Sequence, residues 1–161
     1  MSQDRKAMIR RSVSTAEAPA AIGPYSQAVA VGDLVFLSGQ IPLAPQSMAL
    51  VPGDVEDQAR QVFRNLEAVA KAAGGRFDDI VKLTVYLKNL DDFQTVNSVM
   101  EEFFSPPFPA RAALGVADLP RGAHVEVEGI MHLSELVSKK GPETGDPDGQ
   151  SARGSKTSGA E

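Results

Sequence analysis

Apolar residues recur along this chain in two rhythms, which predict its helices and strands. From Asp54 to Gly75 they recur at steps of three and four, as in an amphipathic helix. Asp54 is the predicted N-cap, and Gly74 the predicted C-terminal stop. The predicted buried stripe of this helix consists of Val55, Ala59, Val62, Phe63, Leu66, Val69, Ala70 and Ala73.

The stretch DDFQTVNSVMEEFF, residues 91–104, has the same helical rhythm. Asp91 and Gln94 have the spacing of a capping box, which predicts where this second helix begins. The predicted buried side chains are those of Phe93, Val96, Met100 and Phe103.

The other apolar segments alternate with polar residues and predict strands. The clearest is IVKLTVYLK, residues 80–88, in which Val81, Leu83, Val85 and Leu87 are predicted to face one side. Two short apolar runs flank Gly32-Asp33, which indicates a hairpin. Further strands are predicted at 8–13, 111–117 and 124–133.

The predicted order is β-β-β-α-β-α-β-β. This order favours an α+β domain with two helices on one face of a single, mostly antiparallel sheet. Leu34 and Phe36, together with Ala28 and Ala30, indicate that the other face is partly apolar. A second apolar face tends to be buried against another subunit, so we expect an oligomer.

Composition divides the chain into three parts. The segment 138–161 contains no large apolar residue and is rich in Gly, Ser, Pro and charge, so we expect it to be a disordered tail. Residues 1–7 are expected to form a flexible N-terminal arm. The folded domain is then predicted to span residues 8–137.

Composition and charge also restrict the function. The chain has no cysteine, which excludes disulfides, thiolate metal sites and a cysteine nucleophile. Its net charge is −5 and its basic residues are scattered, so a nucleic-acid partner is disfavoured. The basic first residues lack an apolar segment behind them, and no run approaches the ~20 apolar residues of a membrane span, so we expect a cytoplasmic protein.

Two places carry candidate chemistry. Arg111 follows a proline-rich loop at the start of a predicted strand, and residue type alone favours an exposed strand-end charge over a carboxylate-binding group. Glu126 and Glu128 alternate on one strand and form either a solvated face or a site for a general base. His124 and His132 lie eight residues apart, too far to share a metal ion.

Five motifs follow one another along the chain: APAAIGPYSQAV, FLSGQIPL, TVYLKNLDDFQTVN, FPAR and VEVEGI. Together they resemble the Rid family of reactive intermediate deaminases, also called YjgF or L-PSP. The resemblance covers about residues 15–133. It implies a chorismate-mutase-like fold and a homotrimeric barrel with sites in the clefts between subunits. It also implies hydrolysis of enamines and imines, such as 2-aminoacrylate, to a 2-keto acid and ammonia, as by a 2-iminobutanoate/2-iminopropanoate deaminase, without a cofactor or metal.

The resemblance also implies roles for individual residues. Arg111 matches the arginine that binds the substrate carboxylate, and Glu126 matches the glutamate that handles the hydrolytic water. Ala113 stands where many members carry cysteine, and the Ser105–Pro107 loop is shorter than is typical of the family. The implied substrate-binding residues are Tyr25, Ser38, Gly39, Asn97, Arg111 and Ala113.

Two alternatives remain at this point. The first is a non-catalytic trimer that binds metabolites as a regulator or acts as a holdase chaperone. The second is an RNA endonuclease or translation inhibitor, which the acidic net charge disfavours. Glu126 favours the deaminase, because a protein that only binds a carboxylate needs the arginine but not a water-handling acid.

Overall fold

The structure is a computed structural model that describes residues 10–134. The predicted arm, the predicted tail and the beginning of the first predicted strand lie outside these residues. The element order β-β-β-α-β-α-β-β is confirmed. The strands and helices are β1 (Arg10–Val13), β2 (Ala28–Val31), β3 (Leu34–Gln40), α1 (Val55–Ala73), β4 (Ile80–Leu87), α2 (Phe93–Phe103), β5 (Ala110–Gly115) and β6 (Val125–His132).

The six strands form one sheet in the order β1-β2-β3-β6-β4-β5. Every pairing is antiparallel except that of β4 with β5. The α+β class with a mostly antiparallel sheet is therefore confirmed. This order places β5 at one edge of the sheet and β6 in its interior.

The predicted caps of α1 are confirmed. The Asp54 carboxylate accepts hydrogen bonds from the backbone N–H groups of Glu56 and Asp57, and Gly74 ends the helix in the left-handed conformation at a φ of 100°. Glycine adopts this conformation without the steric cost that a Cβ would bring.

The predicted capping box of α2 is wrong. A 3-10 turn over Leu90–Asp92 precedes the helix, so Asp91 lies inside that turn. Asn89 caps the turn by accepting a 3.1 Å hydrogen bond from the Asp91 backbone N–H. The predicted burial is confirmed, since Val96 and Met100 are buried while Phe93 and Phe103 pack against the core.

One strand departs from the predicted alternation. The pairing of β4 with β6 shifts between Ile80 and Lys82, which turns Val81 out to 48% exposure and buries Ile80 instead. A bulge of this kind inserts one residue and reverses the face of the residues before it.

Both helices cover the same face of the sheet, where their apolar stripes share one core with alternate strand residues. Ala28 and Ala30 belong to this core, so their assignment to the opposite face is wrong; Val29 and Val31 lie there instead. We call the uncovered side the open face. It carries Leu34 and Phe36, which are 41% and 46% exposed.

No helix within the described part of the chain is long and apolar enough to cross a membrane.

Candidate active site

Arg111 lies on the edge strand β5 and is held by α2. Its Nη1 donates a 2.6 Å hydrogen bond to Oδ1 of Asn97 and lies 3.5 Å from Sδ of Met100. Its Cζ lies 5.0 Å from the centroid of the Phe93 ring, within the range of a cation–π contact. These three α2 residues stand at positions i, i+4 and i+7, so they share one face of the helix.

The Arg111 guanidinium borders a cleft of about 450 Å³, which we call the Arg111 cleft. A guanidinium carries five N–H donors. Within residues 10–134, the side-chain hydrogen bonds of Arg111 leave from Nη1, so Nε and Nη2 remain available to a planar anion. The cleft is lined by Gln94, Asn97, Ser98, Met100, Glu101, Phe108, Pro109 and Arg111.

A second cleft, of about 380 Å³, lies where β3 ends and β6 begins, and we call it the Glu126 cleft. Its lining includes Tyr25, Ser38, Gly39, Glu126 and Glu128. Tyr25 is 47% exposed, and its hydroxyl accepts a 3.4 Å hydrogen bond from the Ile22 backbone N–H. The phenol ring is thus available to a ligand in this cleft.

Ser38 and Gly39 shape the floor of the Glu126 cleft. The Ser38 hydroxyl donates a 2.6 Å hydrogen bond to the Ser26 carbonyl, which joins β3 to the loop before β2. A Cβ at position 39 would overlap Oε1 of Glu126 and lie 3.0 Å from its Cδ. Gly39 therefore permits the Glu126 carboxylate to lie directly against β3.

The environment of Glu126 makes it more basic than an ordinary glutamate. Partial burial raises its pKa, and the nearby charge of Glu128 raises it further. Tyr86 on β4 donates a 2.9 Å hydrogen bond to Oε1 of Glu128. That hydrogen bond, together with burial, raises the pKa of Tyr86.

The two clefts of one chain do not meet. Arg111 pairs with Leu83 and Glu126 with Tyr86, so their backbones lie two strands and three residues apart, or about 14 Å. Arg111 extends toward α2, whereas Glu126 lies on the open face. The structure thus brings Arg111 and Asn97 together, and separately Tyr25, Ser38, Gly39 and Glu126.

Ala113 joins neither group, since it packs against the core beside β4. No group of three or more His, Cys, Asp or Glu side chains among residues 10–134 is arranged to hold a metal ion.

Comparison with known proteins assigns the family. Residues 15–133 match the sequence profile of the family described as endoribonuclease L-PSP. The 2-iminobutanoate/2-iminopropanoate deaminases of Bos taurus and Homo sapiens are 50% and 48% identical to the chain over 131 residues, which is 81% of this chain and 96% of each relative.

The chain belongs to the Rid family.

Solved structures agree with this assignment. RidA from the Antarctic bacterium Psychrobacter is 47% identical, with a TM-score of 0.74 over 76% of this chain and 99% of that protein. TdcF from E. coli, solved with bound serine, is 43% identical, with a TM-score of 0.74 over 77% of this chain and 99% of that protein. The α+β fold is therefore that of the Rid family.

Phe93, Met100 and Tyr86 contact residues of the two clefts but had no predicted role there, and Glu128 was predicted only to share a face with Glu126. Phe93 and Met100 were predicted only as core, although their helical spacing from Asn97 places them on one face. Glu128 and Tyr86 become neighbours only through the β4–β6 ladder. The alternation of β6 predicts that Glu128 shares a face with Glu126, but the partner strand is visible only in the folded sheet.

Proposed function

We propose that this protein is a hydrolase that converts reactive 2-imino acids, and their enamine tautomers such as 2-aminoacrylate, to 2-keto acids and ammonia. The substrate is a small molecule with a carboxylate beside a carbon–nitrogen double bond. Relatives at about half identity over most of the chain are named as deaminases of 2-iminobutanoate and 2-iminopropanoate. Serine, the ligand bound to TdcF, also carries a carboxylate beside a carbon–nitrogen bond.

The observation that carries this proposal is the combination of a carboxylate-binding arginine with a glutamate of raised pKa. Arg111 offers unused donors in the planar arrangement that matches a carboxylate. Glu126 is partly buried, and its raised pKa brings it closer to the working pH of a general base. A protein that only binds carboxylates has no need of the second group.

The reaction proceeds through a carbinolamine. Glu126 takes a proton from water as the water oxygen forms a bond to C2 of the imine, and it passes that proton to nitrogen, which gives the carbinolamine. Glu126 then takes the hydroxyl proton and delivers it to nitrogen as the C2–N bond breaks, so the 2-keto acid and ammonia form and Glu126 is again a carboxylate. Such imines already hydrolyse in water, so a modest rate gain from fixing substrate and water suffices.

The separation of the two clefts supports a site shared between copies of the chain. Arg111 and Glu126 lie about 14 Å apart at the backbone and on opposite sides of the sheet, too far for one small acid. The open face also exposes Leu34 and Phe36, which a neighbouring copy would cover. We therefore propose a homotrimer in which one copy supplies Arg111 and the next copy supplies Glu126.

Ala113 does not remove this chemistry, because none of the steps uses a thiol. The cytoplasmic location expected from the sequence stays a prediction.

A coupled assay tests the activity. A serine dehydratase supplies 2-aminoacrylate, and pyruvate release is followed with and without the purified protein. We expect acceleration by the wild type, a loss of more than tenfold in Arg111→Ala, and no loss in Arg76→Ala, which removes an exposed guanidinium paired with Asp79. A wild-type protein that does not accelerate pyruvate release contradicts the proposal for this substrate.

A further inference from the structure

Two carboxylates and one phenol form a compact group on the open face beside the proposed base. Glu126 and Glu128 alternate on β6 and line the same cleft. Across the ladder, Tyr86 lies opposite Glu126, and Thr84 lies opposite Glu128. The Tyr86 hydroxyl therefore reaches diagonally to Glu128, where it donates its 2.9 Å hydrogen bond to Oε1.

This hydrogen bond holds the Glu128 carboxylate in place. A freely rotating glutamate on an open sheet face would spread its charge over several rotamers, and water would screen it. Tyr86 restrains Glu128 to one rotamer, two residues from Glu126 and on the same face. Glu128 is also the charged neighbour whose field acts on Glu126, in addition to the effect of burial.

Each element that adjoins Glu126 carries few other ionisable groups. Strand β3 offers only Leu34, Phe36 and Ser38 on this face. Lys82 and His132 lie toward the far end of the ladder, where Lys82 pairs with Ile130 and His132 with Leu34. Arg121, beside the cleft residue Pro120, donates to the Met48 carbonyl. Tyr25 lies on the loop before β2, and His124 and Lys88, next to the paired ends of β6 and β4, border a separate cleft beside Asp54 and Asp92.

We infer that Glu128, fixed by Tyr86, is a positioning residue whose negative charge keeps Glu126 basic enough to take a proton from water. The inference rests on the proposed function of Glu126. It adds a second carboxylate that contacts no reacting atom yet sets the pH range in which the first one works. Tyr86 acts indirectly, because its hydrogen bond fixes the position of the Glu128 charge.

The test compares pH profiles of kcat/KM for the wild type, Glu128→Gln and Tyr86→Phe. Removal of the Glu128 charge lowers the pKa of Glu126, so the acid limb of the profile moves to lower pH by about 0.5 to 1 unit. The weaker base also lowers the rate on the plateau, by about threefold. Tyr86→Phe keeps the Glu128 charge but removes the hydrogen bond that fixes its position, so we expect a smaller shift of the acid limb in the same direction.

Glu67→Gln serves as the matched control. It removes a carboxylate from α1, on the other side of the sheet, where Glu67 pairs with Lys71. Its acid limb should coincide with that of the wild type. Coincident limbs in Glu128→Gln and the wild type would overturn the inference.

A titration that needs no turnover separates this inference from the proposed function. The carboxyl carbon of Glu126 is followed by NMR in protein labelled with ¹³C-glutamate, and Glu126→Gln identifies its signal. A titration midpoint that falls in Glu128→Gln and Tyr86→Phe supports the inference even if the wild type hydrolyses no imine, while unchanged midpoints overturn it. If Glu128→Gln does not fold, Tyr86→Phe alone decides between these outcomes.

Discussion

Asn97 on α2 accepts a 2.6 Å hydrogen bond from Nη1 of Arg111 on β5. The bond joins a helix to the edge strand of the sheet and orients the guanidinium before any ligand is present. The ring of Phe93, also on α2, is a cation–π partner of the same guanidinium. A preoriented guanidinium loses less entropy on binding a carboxylate, so in the proposed site the packing of α2 contributes to substrate affinity.

Asn97→Ala should weaken substrate binding more than it slows the chemical step. Without the orienting hydrogen bond, the substrate must immobilise the guanidinium on binding, which costs about 1 kcal/mol and corresponds to an increase of about fivefold in KM, with kcat within about twofold of the wild type. Steady-state kinetics of imine hydrolysis measure both constants. Ser98→Ala is the control, because the Ser98 hydroxyl donates to the Gln94 carbonyl of its own helix. An unchanged KM in Asn97→Ala would mean that Asn97 does not orient Arg111.

Gly39→Ala should reduce activity without destabilising the fold. An added Cβ would overlap the Glu126 carboxylate, the mobile end of its side chain, so Glu126 would move away from its present position. We expect kcat to fall by about tenfold or more, as for a displaced general base. The melting temperature should stay within about 2 °C of the wild type, because the obstructing atoms can move.

Gly32→Ala should lower stability and keep activity, which is the opposite of the result expected for Gly39→Ala. Gly32 has a φ of 59°, and a Cβ there would meet nothing within 4 Å. Alanine would strain the backbone by about 1 kcal/mol while leaving the clefts untouched. The melting temperature should therefore fall while kcat is retained. If Gly39→Ala keeps full activity, the position of Glu126 against β3 does not matter for the reaction.

Glu126→Gln should stabilise the folded protein at neutral pH while abolishing activity. Burial raises the pKa of Glu126 above its unfolded value, so between those two values the folded state binds more protons than the unfolded state. Stability therefore falls as pH rises through that window, and glutamine removes this penalty. Thermal unfolding should show a higher melting temperature for Glu126→Gln at pH 7 and convergence with the wild type at a pH below both values.

Glu102→Gln should lower the stability of the folded protein at neutral pH, whereas Glu126→Gln should raise it. Its hydrogen bond with Arg60 lowers the pKa of Glu102, so its contribution is present above its unfolded pKa and is lost as pH falls through the folded pKa. The substitution should lower the melting temperature at pH 7, slightly, because the pair is exposed. A Glu126→Gln protein that is less stable than the wild type at pH 7 would contradict the partly buried, charged state of Glu126.

The order of elements and most of the core could be predicted from the sequence, because periods of two and of three to four residues are local. The exceptions were also local in cause. The bulge before Lys82 turned Val81 outward, and a 3-10 turn displaced the predicted cap of α2. Neither leaves a signal in an apolar pattern.

The candidate site was predictable only in part. Family motifs named Arg111 and Glu126, and alternation predicted that Glu128 shares a face with Glu126. The diagonal contact from Tyr86 to Glu128 depends on the register between β4 and β6. These strands are distant in the chain, since β4 ends at Leu87 and β6 begins 38 residues later at Val125. The division of the motif residues between two clefts likewise depends on strand order, which places β4 between β5 and β6.

Complementation between two inactive variants tests the central claim most directly. Arg111→Ala and Glu126→Gln are purified, unfolded together in equal amounts and refolded as mixed oligomers, and the rate of imine hydrolysis is compared with each variant refolded alone. If neighbouring copies contribute the two groups, random mixing restores both to about one site in four, so the mixture should regain about a quarter of the wild-type rate. A mixture as inactive as its parents, beside an active wild type refolded in the same way, would contradict the shared site.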